Sequence, residues 1–319
     1  MNLQEKLQSI EENYIPHRSI HLNESTKIYL GSQENQKCRF CGWSSPNVTF
    51  NTVAHAIPQF TNNHSLINYN ECDQCNAIFS KTLETHMGSY MNPYHTLSQV
   101  RGKKGVPSYN KGGEKSRIDM AKNGLEVKSV EGEREIFHFD DDKKIITFSA
   151  IRATYIPIAI YKCLTKMALS IMDENKLQYL RNTLNWINEA DHQNNSYNLH
   201  NLKCFFSFTP GPLPHYFTSA LLLERRPDAK LNVPHMTFVL AYGNFTFQIY
   251  LPLSELDAGD VKFISMPHPF DLKNVHGEPI YKVLDFSSKQ KVKGEEVKIE
   301  MGYKSKVEKP IPNNGAGEK

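Results

Sequence analysis

The chain has 319 residues, a formal net charge of +3, 22% charged and 11% aromatic side chains, and six cysteines. That length allows one large domain or two ordinary ones, and so small a net charge is by itself no argument for a nucleic-acid partner. No apolar run approaches the ~20 residues that a bilayer-spanning helix needs, and the polar start MNLQEKLQSIEENY does not read as a signal peptide; a cytoplasmic protein with no membrane partner is the expectation.

Taken in order, residues 1–34 read as a short helix and leader. The next stretch, CRFCGWSSPNVTFNTVAHAIPQFTNNHSLINYNECDQCN, holds two Cys-x-x-Cys pairs, Cys38/Cys41 and Cys72/Cys75. Two thiolates at that spacing reach one ion from a tight knuckle, and two knuckles complete the tetrahedral sulfur site that zinc prefers. Four sulfurs leave no open position, so the expected Zn²⁺ is structural. The alternative, a disulfide or unlinked core thiols, fits a cytosolic chain poorly. Thirty residues lie between Cys41 and Cys72, longer than a minimal zinc ribbon needs.

Within that insert, VTFNTVAHAI is rich in β-branched residues and predicts a strand or hairpin with Val53, His55 and Ile57 on one face, ended by Pro58. From Asp73 the pattern becomes helical, with Phe79, Leu83 and Met87 on one face and Asn76, Ser80 and Glu84 on another. Residues 35–100 thus read as hairpin, loop and helix clipped by zinc. Residues 101–124 follow as a linker or arm. From Arg101 to Lys128 there are eight basic side chains against three acidic ones, punctuated by glycine in RGKKG and NKGGEK. Arg101, Lys103, Lys104 and Lys111 are the residues expected to neutralise substrate phosphates, if this is more than a solvated linker.

From about residue 125 to 304 a second α+β domain is expected, with a mainly antiparallel sheet and two helices. LEVKSV, REIFHF and KIITFSA read as strands. TYIPIAIYKCLTKMALSIM and NKLQYLRNTLNWI read as helices. CFFSFT, SALLLER, HMTFVLAY, FTFQIYLPL, KFISM and YKVLDF read as further strands, with a hairpin turn at Gly243-Asn244. Cys163 and Cys204 sit in apolar runs and read as core thiols. His138, His200 and His268 read as structural. Residues 305–319 read as a disordered tail. Partner binding, ligand sensing, homo-oligomerisation or substrate positioning are all open roles for this region.

The cysteine–histidine–asparagine constellation in residues 35–110 resembles the HNH, or ββα-metal, endonucleases. The order AHAIP, ECDQCN, GKKGVPSY is similar to bacterial chains of that kind, some found among anti-phage defence genes. The resemblance implies a metal-dependent nuclease acting on DNA. His55 would be the general base and Asn76 a ligand of a catalytic Mg²⁺ or Mn²⁺. The middle asparagine that orders the loop would be Asn63, Asn68 or Asn70, with Asn68 favoured by its distance to the helix. Many such sites carry a second metal ligand just before the base; here that position is Ala54, leaving Glu71, Asp73 and Glu84 as candidates. The competing reading is a non-catalytic zinc-finger adaptor that binds nucleic acid or protein.

Overall fold

The computed structural model describes residues 3–22, 26–110, 114–194, 196–211, 217–266 and 276–307. Helix α1 (Leu3–Asn13) runs into strand β1 (Tyr14–Leu22), and short β2 (Ile28–Leu30) and β3 (Leu66–Asn68) flank the cysteine stretch. A continuous helical run follows: α2 (Asp73–Phe79), a π turn (Ser80–Glu84) and α3 (Thr85–Leu97). Five strands come next: β4 (Tyr109–Asn110), β5 (Arg117–Ala121), β6 (Gly124–Lys128), β7 (Phe137–Asp140) and β8 (Ile145–Ile151). They lead to α4 (Pro157–Ile171) and, through a 3₁₀ stretch (Glu174–Leu180), to α5 (Arg181–Asn188). The last strands are β9 (Lys203–Phe208), β10 (Thr218–Arg225), β11 (Met236–Tyr242), β12 (Phe245–Tyr250), β13 (Ile280–Asp285) and β14 (Glu296–Gly302).

The main sheet has six strands in the order β1-β10-β11-β12-β9-β13, every neighbouring pair antiparallel. Two three-stranded sheets, β14-β8-β7 and β4-β5-β6, form a smaller layer around Tyr109, Ile118 and Phe148. The fold is therefore α+β and mainly antiparallel, as the alternating patterns predict. The β11–β12 turn falls at Gly243-Asn244, with Tyr242 paired to Phe245 and Gly243 at φ 49°.

Helix α4 sets the arrangement. All fifteen of its side chains are buried, and a helix apolar on every side must be covered on every side. Pro157 stands at its start, where the missing N–H costs nothing. On one flank the Tyr161 hydroxyl donates to the Tyr250 carbonyl of β12 at 2.8 Å. At its end, the carbonyls of Leu169, Ser170 and Met172 accept from Arg39 Nη1 at 2.6, 2.8 and 3.0 Å. These are carbonyls a helix leaves without partners, and a cation suits that end of the dipole. Arg39 belongs to the first cysteine knuckle, so one hydrophobic cluster runs from Cys38 and Phe40 through Phe79 and Leu164 to Phe238 and Phe247.

Several expected boundaries change accordingly. Residues 1–34 are not only helix and leader: β1 pairs along its length with β10 and forms an edge of the main sheet. Pro16 is tolerated there because an edge strand need not donate on its outer side, and the register shifts between Pro16 and Arg18. Residues 101–124 are not a plain arm, since β4 and β5 pair with each other and β5 with β6. Residues 125–304 do not close a core of their own. KFISM forms no strand, whereas EVKIEMG, unrecognised in the sequence, forms β14 against β8. Cys163 and Cys204 are fully buried free thiols. His138 is exposed beside Glu135, His200 is exposed, and His268 lies outside the described residues, as do residues 308–319 of the expected tail.

The hairpin expected over residues 48–57 is also reduced. No strand forms there; Val53 is 62% exposed while Ile57 is fully buried, so they do not share one face. The reason is Asp73. Its carboxylate accepts from the backbone N–H groups of Asn51 and Thr52 at 3.0 and 2.9 Å and from the hydroxyls of Thr49 and Thr52, both at 2.5 Å. Those donors are taken by a side chain rather than by a strand partner. Among the described residues no helix is long and apolar enough to cross a membrane.

Candidate functional site

The first cysteine knuckle is a tight turn in which Gly42 N–H donates to the Cys38 carbonyl at 2.8 Å, with Gly42 at φ 75°, a conformation that favours glycine. The second lies at the start of α2, where Cys72 is the N-cap residue and its sulfur accepts from the Cys75 N–H at 3.4 Å. Cys72 N–H in turn points at the Cys38 sulfur at 3.5 Å. The four sulfurs lie within 4.8 Å of one another, and Cys41 and Cys72 are 3.8 Å apart. A tetrahedral zinc with bonds of about 2.3 Å places its sulfurs about 3.8 Å apart, so the donor set and its spacing fit Zn²⁺. A hydrogen bond from Cys75 holds the Cys38 thiol well below the usual thiol range, while burial raises Cys72.

Between the knuckles, Ala54–Ala56 runs antiparallel to β3: His55 bridges Ile67, Asn68 N–H donates to Ala54 O at 2.9 Å, and Ala56 N–H to Leu66 O at 3.2 Å. The His55 ring is partly exposed, and among the described residues it has no hydrogen-bond partner. Burial pushes its pKa down to about 4, helped by the positive charge of Lys166, His64, Lys103 and Lys27. The imidazole is therefore neutral near pH 7 and can accept a proton.

The loop between these two segments is ordered by Asn63, not by Asn68. Asn63 is fully buried; its amide donates to Ile57 O at 2.6 Å, and its oxygen accepts from Ser65 and Leu66 N–H at 3.0 and 2.9 Å. Asn68 accepts from Asn70 N–H at 3.1 Å and makes a long contact of 3.5 Å to Glu71. The Asn70 amide lies where a Cβ on Gly31 would be, only 2.2 Å from its oxygen. Sequence distance to the helix favoured Asn68, whereas the loop needs the asparagine at its own corner.

Asn76 sits on α2 immediately after Cys75, half-buried, and among the described residues its side chain makes no hydrogen bond. The π turn at Ser80–Glu84 inserts an extra residue, so the four-residue register from Asn76 to Glu84 does not carry through. The candidate carboxylates are engaged elsewhere. Asp73 holds the 49–52 loop, and those hydrogen bonds keep its pKa well below the carboxylate range despite burial. Glu71, fully buried, accepts from Lys166 Nζ at 2.9 Å, and Glu84 lies 3.9 Å from the same ammonium. Among the described residues the cysteines are the one group of three or more His, Cys, Asp or Glu placed to hold a metal. Mg²⁺ takes several oxygen ligands, and Asn76 supplies one neutral oxygen. The residues present do not build a protein-held catalytic cation site.

Lys166 is the residue sequence reading missed. It lies in α4, 111 positions from His55, and its Nζ donates to the His55 carbonyl at 3.0 Å. Burial opposes its charge, but Glu71 and Glu84 outweigh that and raise its pKa. A lysine in the apolar run IAIYKCLTKMALSI was the available signal, because lysine is almost never fully buried without a partner.

Of the basic residues, Arg101, Lys103 and Lys104 are exposed on a loop closed by Gly102 and Gly105, which exchange both backbone hydrogen bonds at 2.9 and 3.1 Å. Gly102 backs onto Phe60, where an added Cβ would lie 3.5 Å from Phe60 Cα. The loop is thus held against the turn that follows His55, and Lys103 is among the charges acting on the imidazole. Lys111 lies outside the described residues. Lys27, another charge acting on His55, precedes β2 and carried no signal in the sequence. No protein-family model, curated protein or solved structure matches this chain.

Proposed function

We propose that the chain is a DNA phosphodiester hydrolase of the HNH type, with His55 as the proton acceptor. The observation that carries the reading is the partly exposed His55 ring, without a hydrogen-bond partner among the described residues, on a segment paired to β3 and followed by the helix of the second cysteine knuckle, which bears Asn76. In that reaction a water attacks phosphorus, His55 takes the water's proton, the bond to the leaving oxygen breaks, and that oxygen takes a proton from solvent. Lys103 and Lys27 supply positive potential that draws the phosphate to the ring. Zn²⁺ held by Cys38, Cys41, Cys72 and Cys75 would tie the knuckles together and, with four sulfur ligands, would have no open position for the chemistry. An Mg²⁺ or Mn²⁺ ion would have to come with the phosphate, would meet the Asn76 amide oxygen as its side-chain ligand, and would supply charge stabilisation to the phosphate.

The test is plasmid cleavage by zinc-loaded protein with added Mg²⁺ or Mn²⁺, and with chelator. General acid–base catalysis contributes about 10²–10⁴-fold, so His55→Ala should slow cleavage by that order with zinc content and melting unchanged. Cleavage at the wild-type rate by folded His55→Ala would remove this histidine from the reaction. Ala54, buried at 2% exposure where many HNH sites carry a ligand, favours a second reading: a zinc-knuckle adaptor that binds DNA or protein without cutting. DNA binding by wild-type protein with no cleavage under any of these ions would favour it.

A further inference from the structure

A cavity of about 1180 Å³ opens between the end of α3, the β9–β13 edge of the main sheet, and β14 of the smaller layer. Its volume is at or above the ~300–1,000 Å³ usual for small-molecule sites. Tyr94, Phe206 and Phe208 line one part of it. Phe206 is also the cross-strand neighbour of Lys282, so an aromatic ring and an ammonium stem stand side by side on the same face.

The charges around the cavity are one-sided. Lys282, Lys298 and Lys304 line it, with Glu300 the one carboxylate among the described lining residues. None of the three lysines has an ion-pair partner among the described residues, whereas Lys166, Lys176 and Lys230 elsewhere are paired. Three lysines without an ion-pair partner among the described residues, sharing a cavity with aromatic side chains, suit an organic anion with a flat ring. Inorganic phosphate would use the lysines and leave the rings idle; an apolar ligand would do the reverse. Asn244 at the same wall has its amide N–H₂ taken by the Thr209 and Gly211 carbonyls, which fixes the β11–β12 turn beside the cavity.

We propose that this cavity binds a nucleotide, its base on the Tyr94–Phe206–Phe208 surface and its phosphates on Lys282, Lys298 and Lys304. Base–aromatic stacking and charge-assisted phosphate contacts each add to affinity, so both halves of the ligand are required. The site is independent of the nuclease reading, and binding can be measured whether or not DNA is cut.

The experiment is calorimetric titration of the full-length, zinc-loaded protein with ATP, tripolyphosphate and adenosine separately. ATP should bind at least tenfold more tightly than either fragment. A charged hydrogen bond is typically equivalent to about tenfold or more in binding, so Lys282→Ala and Lys298→Ala should each weaken ATP by that factor. Both lysines are exposed, so both variants should melt like wild type. The proposal would be overturned by no ATP binding up to millimolar concentration, by tripolyphosphate binding as tightly as ATP, which would mark a mere basic patch, or by unchanged affinity in both variants. Binding of a short single-stranded oligonucleotide without binding of ATP would also overturn it, because the cavity would then be part of a strand-tracking groove.

Discussion

Lys166 Nζ lies 2.9 Å from Glu71 Oε2, with the two side chains 1% and 0% exposed. The pair joins the central helix α4 to the residue just before the second cysteine knuckle. The same ammonium holds the His55 carbonyl, so one buried charge fixes the knuckle and the candidate base together.

Removing half of a buried pair leaves an uncompensated charge and costs about 3–5 kcal/mol. Lys166→Met should therefore lower unfolding stability by that amount, read from urea denaturation. Lys166→Met combined with Glu71→Leu should recover most of the loss, since volume-matched apolar replacement of a buried ion pair is often neutral. A double variant as unstable as the single one would show that the His55 carbonyl contact, rather than the pair, dominates.

Cys72→Ser should abolish zinc binding and, because the knuckle shares a core with α4, lower the melting temperature of the whole chain. Zinc binding in such sites is itself folding energy. Metal analysis together with calorimetry checks both halves. Loss of zinc with an unchanged melting profile would mean that the Arg39 contacts to α4 hold without the metal.

Local order was legible in the sequence wherever one residue type or one period decided it. The double Cys-x-x-Cys gave four sulfurs within 4.8 Å. The Phe79, Leu83, Met87 spacing gave a buried helical face. Pro157 marked the start of α4 and Gly243-Asn244 a hairpin turn. What was not legible depends on distant pairing. IPHRSIHL carries a proline and charges and reads as no strand until β10 lies beside it. The 49–52 stretch is β-prone, and only the Asp73 carboxylate, more than twenty residues later, turns its N–H groups away from a ladder. A domain boundary near residue 125 followed from the change in composition, but α4 needs cover on every side, and the knuckle supplies part of it. A fragment ending there would leave Glu71 buried without Lys166.

The buried histidines set the response to acid. His95, His192 and His235 are 2%, 4% and 3% exposed. Burial lowers their pKa values to about 3, about 4 and about 4 respectively. The unfolded chain binds these protons near pH 6.5 and the folded chain does not. Stability should thus be fully present above pH 6.5 and fall as pH drops from there toward 4, by up to about 1.4 kcal/mol per pH unit for each histidine. Asp73 acts in a lower window, because its depressed pKa loses stability only below about pH 4. Urea midpoints that stay level between pH 6.5 and 5 would show that these rings already carry protons in the fold.

Asn63 and Asn68 divide structure from proximity, and their alanine variants should separate cleanly. Asn63→Ala removes the donor to Ile57 O and the acceptor of two buried N–H groups. Each buried group left without a partner costs about 1–3 kcal/mol, so with three such groups the variant should lose at least about 3 kcal/mol. Asn68→Ala loses one backbone contact at 3.1 Å and a marginal one at 3.5 Å, and should lose about 1 kcal/mol. The loop that Asn63 ties begins two residues after His55, so amide exchange at Ser65 and Leu66 should quicken in Asn63→Ala and hold in Asn68→Ala. On the nuclease reading, cleavage should fall with Asn63→Ala even at temperatures where the variant is fully folded, because the loop no longer fixes the Ala54–Ala56 segment against β3. Equal losses of stability and exchange protection in the two variants would return Asn68 to the ordering role that its place in the sequence had given it.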